Sequence, residues 1–172
     1  MKVFLKFFIL VTMESNGAFE KVLHSFEKYY NVQTENVDAP FTARAEFRSH
    51  NEQYFLVKSA KVADIDSNDF VFLANEKSLT AELLSSLDAA AWEQGLAMVK
   101  PYYGHRNSDV TLVIVAEHID EDAFKMVKKL KHYKSYKFSL YGWSAFRAVA
   151  YETSTGKVAC NRRGSDLKKL VS

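Results

Sequence analysis

The sequence predicts an α/β fold, an α+β mixture built on a single mixed β-sheet with helices on its faces. Three observations carry this expectation. Residues 41–49 alternate apolar and polar, residues 110–116 are apolar on both faces of a strand, and stretches of helical periodicity separate such segments. The element order reads αβββαβαββ(β), in which a meander followed by crossover helices requires antiparallel and parallel neighbours in one sheet.

Each element has its own signal. After Asn16, a cap by residue type, Ala18, Phe19, Val22, Leu23, Phe26, Tyr29 and Tyr30 recur at three- and four-residue steps and predict a helix with one apolar stripe. A loop over residues 31–40 leads into a half-exposed strand, where Phe41, Ala43, Ala45 and Phe47 face one way and Thr42, Arg44, Glu46 and Arg48 the other. His50, Asn51 and Glu52 read as a tight turn, residues 53–60 as the hairpin partner, and residues 69–74 as a third, more buried strand. A long helix follows over about residues 80–100, with Leu83, Leu84, Leu87, Ala91, Met98 and Val99 inward, an interruption at Gly95 and a stop at Pro101. Residues 110–116 form the middle of the sheet, since a strand apolar on both faces needs cover on both. Asp120 caps the next helix, with Glu121 and Asp122 at its start and Lys128, Lys129 and Lys131 at its end, as the helix dipole favours. Residues 136–140 and 143–151 alternate around Tyr141 and Gly142, residues 154–157 turn the chain into a last strand over 158–161, and residues 166–171 form a terminal helical turn.

With 172 residues, 48% of them hydrophobic, the chain fills one core, so a single domain is expected over residues 13–172. The first twelve residues, MKVFLKFFILVT, are read as a non-core extension or a start placed too early, with Met13 as the expected start. Lys6 leaves only Phe7 to Val11 as an apolar run, short of the roughly 7 to 15 residues of a secretory core and the roughly 20 of a membrane span, so no membrane partner is expected. A net charge of +2 excludes the overall basic excess of a dedicated nucleic-acid binder and leaves local patches to meet any anionic partner. The single cysteine, Cys160, suits a reducing, cytoplasmic setting. No cofactor is expected without a glycine-rich phosphate loop, and no metal from Cys/His spacing. No catalytic residue is assigned either, because a Gly-X-Ser-X-Gly elbow is missing and Cys160 has no assigned histidine.

The residues that point to a ligand are basic and aromatic. Lys100, Tyr102, Tyr103, His105 and Arg106 fall in one loop, and Arg162 and Arg163 follow the last strand. Arginines grip phosphates or carboxylates bidentately and exposed tyrosines stack on bases, so both segments are expected to serve one anionic ligand. Lys134, Lys137 and Arg147, with Tyr136, Tyr141 and Trp143, extend that surface across the late hairpin. The competing reading places the strand aromatics in the core and pairs Arg162 and Arg163 with acids such as Asp109 or Asp166. A second constellation, Glu117, His118 and Asp120 with Asn75 and Glu76 nearby, lies at the carboxyl end of the central strand, where α/β sheets place ligands. There the plainer reading is a cap and ordinary loop residues.

The first six elements also follow the order of restriction-endonuclease-like domains, which need carboxylates and a lysine converging on a metal. The acid two residues before the lysine is absent, since Leu56 precedes Lys58 at that spacing and Val71 follows Asp69. Such a site would be degenerate, drawing on Glu46, Glu52 and Asp69 beside Lys58. A third expectation is a homodimer through the exposed edge of the late hairpin.

Four segments form a recognisable set: residues 54–61 (Tyr-Phe-Leu-Val-Lys-Ser-Ala-Lys), Val99-Lys-Pro101 with residues 104–110, residues 136–143 (Tyr-Lys-Phe-Ser-Leu-Tyr-Gly-Trp) and Asn161-Arg-Arg-Gly164. Together they resemble a family of uncharacterised proteins from anaerobic bacteria, over roughly Phe19 to Leu170. The resemblance implies a stand-alone bacterial cytoplasmic domain and carries over no catalytic residue. The functional expectation is a non-enzymatic domain that binds an anionic ligand, nucleic acid or a protein partner. The alternative is a metal-dependent phosphodiesterase or nuclease.

Overall fold

The computed structural model describes residues 17–48 and 66–171. In chain order these form helix α1 over residues 17–27, strands β1 (Asn31–Gln33), β2 (Ala43–Arg48) and β3 (Asp66–Leu79), helix α2 (Ala81–Met98), strand β4 (His105–Ile119) and helix α3 (Glu121–Val127). Strands β5 (Tyr133–Ser135), β6 (Trp143–Glu152) and β7 (Val158–Cys160), a 3-10 turn (Arg162–Leu167) and helix α4 (Lys168–Val171) complete the order. The strands join one sheet in the order β1-β2-β3-β4-β6-β5, with β7 also on β6. The β3–β4 and β4–β6 pairs are parallel and the others antiparallel, which makes the mixed sheet of an α/β fold.

The apolar run of β4 sits at the centre because both its faces are covered. Val110, Leu112, Ile114 and Ala116 meet Leu84, Leu87 and Ala91 of α2 and Val127 of α3, while Val113 and Val115 meet Phe19, Val22, Leu23 and Phe26 of α1 with Leu167 and Val171. Strand alternation thus feeds two helical layers from one strand. Thr80 caps α2 by accepting from Leu83 N at 3.2 Å. The helix runs straight through Gly95, where an interruption was expected. A Cβ there would stand 2.6 Å from both methyls of Val110, so the glycine lets α2 lie close on β4.

Other differences have physical reasons. Strands β3 and β4 extend well past residues 69–74 and 110–116, because their polar ends pair with each other: Ser67 Oγ donates to Asn107 Oδ1 at 2.9 Å and Asn68 Nδ2 to Ser108 Oγ at 3.2 Å. The expected 31–40 loop contains β1, which pairs with β2. Asn16 and the hairpin partner at residues 53–60, with its turn, lie outside the described residues, as do residues 1–12; β2 pairs directly with β3. Tyr29 lies past the end of α1 and is exposed. Asp120 occupies the cap position of α3 without a side-chain cap bond. The expected strand at 136–140 is a turn, and β5 precedes it.

Candidate functional site

Strand β6 has an interrupted outer edge. Residues 143–145 pair with β5 and residues 149–151 with β7, leaving a gap between them. The Phe146 N–H donates to His132 O at 3.1 Å, and the buried side chain of Asn161 serves the rest of the gap. Its Nδ2 donates to Leu130 O and Phe146 O, each at 3.0 Å, while its Oδ1 accepts from Ala148 N at 3.0 Å and Gly164 N at 2.8 Å. A Cβ on Gly164 would stand 2.5 Å from Ala148 O, so the 3-10 turn packs directly on the strand. Asn161 and Gly164 are structural, and the two residues between them, Arg162 and Arg163, are left exposed.

Beside this turn lies a cavity of about 580 Å³, floored by Leu130 and Phe146 and lined by Lys128, Lys129, Lys131, Arg162 and Arg163. No acidic side chain lines it. Neither arginine forms a salt bridge among the described residues; Asp166 instead takes Arg147, at 2.5 Å. A partly enclosed apolar floor ringed by five cations suits an anion, because a lowered local dielectric strengthens each charged hydrogen bond. The three lysines were read from sequence only as charges at a helix end.

The other expected segment lies elsewhere. Arg106 precedes the Asn107–Trp143 pair and so is level with Gly142, whereas Asn161 stands opposite Ala148, so about 20 Å separates them at roughly 3.3 Å per residue. His105 begins β4 and points inward: Nδ1 bonds to Tyr141 O and Nε2 to Ser108 Oγ, both at 2.9 Å, which leaves no ring nitrogen for a ligand. Arg106 is the extra residue of a register shift and stays exposed, as do Lys100, Tyr102 and Tyr103. Against them packs the 136–142 turn, where Lys137, Phe138 and Ser139 all have positive φ and Phe138 is 98% exposed. Such backbone costs on the order of 1 kcal/mol per residue. It is held by Gly142, whose φ of +77° and whose approach to Arg106 O admit no Cβ. Tyr103 meets Tyr141 edge-on at 6.5 Å, and Lys137 sits over the Tyr141 ring at 4.6 Å. Lys134, Lys137, Tyr141, Tyr102 and Tyr103 therefore form one aromatic and basic tip, distinct from the cavity.

At the carboxyl ends of β3 and β4 a second hollow of about 630 Å³ is lined by Thr80, Ala81, Glu82, His118, Asp120, Glu121 and Asp122. His118 lies between Glu152, at 3.2 Å, and Asp120, at 3.5 Å. Glu117 points to the opposite face from His118, so the expected trio does not converge, and no group of three His, Cys, Asp or Glu side chains among the described residues is placed to hold a metal. Burial raises the carboxyl of Glu76, which stands in register with Ala116.

Arg147 faces inward rather than onto the basic surface. It reaches Asp69 Oδ2 at 3.0 Å, and Asp69 also accepts from Thr111 at 2.6 Å and Tyr30 at 2.9 Å. Asp109 is next to Asp69 in register, and burial, then the Asp69 charge, raise its carboxyl above the ordinary range. Asp69 is thus enclosed, and Glu46 pairs with Arg48, while Glu52 and Lys58 lie outside the described residues. No described helix is long and apolar enough to cross a membrane. Residues 14–172 match a family model described as "Domain of unknown function (DUF8052)". No curated protein and no solved structure matches the chain.

Proposed function

The chain belongs to the DUF8052 family, whose description assigns no activity, and from its own residues we propose a non-enzymatic domain that binds an anionic ligand in the cavity beside the 3-10 turn. The observation that carries this reading is the convergence of Lys128, Lys129, Lys131, Arg162 and Arg163 on one hollow without an acid in its lining. Their sequence separation makes the convergence a product of the fold, secured by the four hydrogen bonds of Asn161. Two adjacent guanidinium groups favour phosphate or carboxylate, which they engage through paired N–H donors. A bacterial cytoplasmic setting accords with the free, half-buried Cys160 and with the resemblance to bacterial proteins.

Calorimetric titration with inorganic pyrophosphate, at low and high salt, tests the reading. Binding is expected to weaken with salt and to fall roughly a hundredfold in Arg162→Ala/Arg163→Ala, from two charge-assisted bonds of about 1.5 kcal/mol each. Unchanged affinity in that variant, or no heat with the wild-type chain at low salt, would refute it.

A further inference from the structure

Resting on that reading, we infer that the anionic ligand is a single-stranded nucleic acid, which enters the cavity with its phosphates and continues along the β5 edge to the aromatic tip. The edge strand β5 leads from one to the other. Lys131 lines the cavity, Tyr133 and Lys134 are exposed on β5, and Lys137 and Phe138 form the tip, with Tyr103 beside it. Between the cavity and the tip, Lys131, Lys134 and Lys137 are all exposed, one just before β5, one on it and one in the turn that follows. Exposed cations along this edge attract a phosphate backbone, and the exposed rings of Tyr133, Phe138 and Tyr103 offer faces to unpaired bases.

The support beneath the strip is rigid. His132 bonds to Asp88 at 2.9 Å and stacks on Trp92 at 5.2 Å, which fixes the segment between Lys131 and Tyr133 against α2. Tyr136 OH bonds to Ser144 Oγ at 2.9 Å, and Gly142 seats the tip on β4. A ligand therefore meets a preformed surface and orders only itself. Charge argues against a second copy of this chain on the same edge, because a two-fold axis there would set Lys134 and Lys137 against their own counterparts. Duplex nucleic acid offers phosphates but hides its bases from Phe138 and Tyr103.

The test is fluorescence anisotropy with the full chain and four probes of equal length: oligo(dT), oligo(U), an abasic oligonucleotide and a duplex. Oligo(dT) or oligo(U) is expected to bind at least tenfold more tightly than the abasic strand and the duplex, and the comparison of the two assigns DNA or RNA. Phe138→Ser/Tyr103→Ser is expected to abolish that tenfold gain while leaving pyrophosphate titration unchanged. Lys134→Glu/Lys137→Glu is expected to flatten the slope of log affinity against log salt by about 1.4 or more. All four side chains are exposed, so circular dichroism and melting should match the wild type. Equal binding of the abasic strand, with pyrophosphate binding intact, would overturn this inference and leave the anion reading standing. Loss of pyrophosphate and oligonucleotide binding together would remove both. Sedimentation with phosphatidylserine vesicles and no oligonucleotide binding would overturn it in favour of a lipid surface.

Discussion

Replacing Asn161 by alanine removes four hydrogen bonds from a buried site and leaves Ala148 N, Gly164 N, Leu130 O and Phe146 O without that partner. At about 1 kcal/mol for each bond the loss is about 4 kcal/mol, at the upper end of single-substitution effects. A domain of ordinary stability, about 5 to 15 kcal/mol, still folds with such a loss. With a urea dependence of about 2 kcal/mol per molar, the unfolding midpoint is expected to fall by about 2 M with the slope unchanged. Hydrogen exchange should locate the damage, with faster exchange at Ala148 and Gly164 and little change at Val113 in the sheet centre. Pyrophosphate affinity should fall as well, because Arg162 and Arg163 lose their fixed turn. A midpoint shift worth less than about 1 kcal/mol would refute the view that this side chain closes the gap between β5 and β7.

Two further outcomes follow from packing and charge. Gly95→Ala gains up to about 1 kcal/mol of helix preference but drives a Cβ to 2.6 Å from both Val110 methyls, and overpacking of this kind costs about 1 to 3 kcal/mol. Net destabilisation is expected by thermal melting, with Val110→Ala recovering part of it in the double variant; a stabilised Gly95→Ala protein contradicts the close approach of α2. Asp109→Asn should stabilise the fold near neutral pH, since Asp109 is half-buried beside Asp69 and the desolvation and the Asp69 charge outweigh the offsetting Arg147, Arg163 and Asn107. A carboxyl raised in the folded state holds its proton where the unfolded chain has released it. Wild-type stability therefore falls as pH rises from the unfolded value through the raised one, and the advantage of Asp109→Asn should shrink as pH is lowered. Melts at several pH values check this, and a difference that does not change with pH rejects it.

How much was legible depended on where each signal resides. Residues 110–116 declared a central strand because apolarity on both faces has few other solutions, but Asn107, Ser108 and His118 hid its ends, since their pairing partners lie on β3 or β6. The strand β1 left no trace in the pattern, being three residues with only Val32 half-buried. Tyr136-Lys-Phe-Ser-Leu140 alternates like a strand, and only the seating of Gly142 on Arg106 O and His105 O turns it into a left-handed bend. In the candidate site Arg162 and Arg163 were visible as a pair. Lys128, Lys129 and Lys131 were visible too, but their role was not, because tertiary contact alone brings the end of α3 beside the 3-10 turn. His105 misled for the opposite reason: a titratable residue beside exposed tyrosines looks accessible until its partners, Tyr141 O and Ser108 Oγ, are placed.

The near-neutral total conceals an electrical polarity. Glu82, Asp120, Glu121 and Asp122 gather at the carboxyl ends of the parallel strands, while Lys134, Lys137 and Arg106 lie toward the opposite end, and β4 alone spans 15 residues, about 50 Å at roughly 3.3 Å each. Among the described residues this arrangement sets a group of acids and a group of bases at opposite ends of the strands, on a total charge of only +2. In the field of a polyanion such a separation adds a torque to the pull, which favours turning the basic edge forward before contact forms. Added salt erodes such an aligning field over a screening length of about 8 to 10 Å.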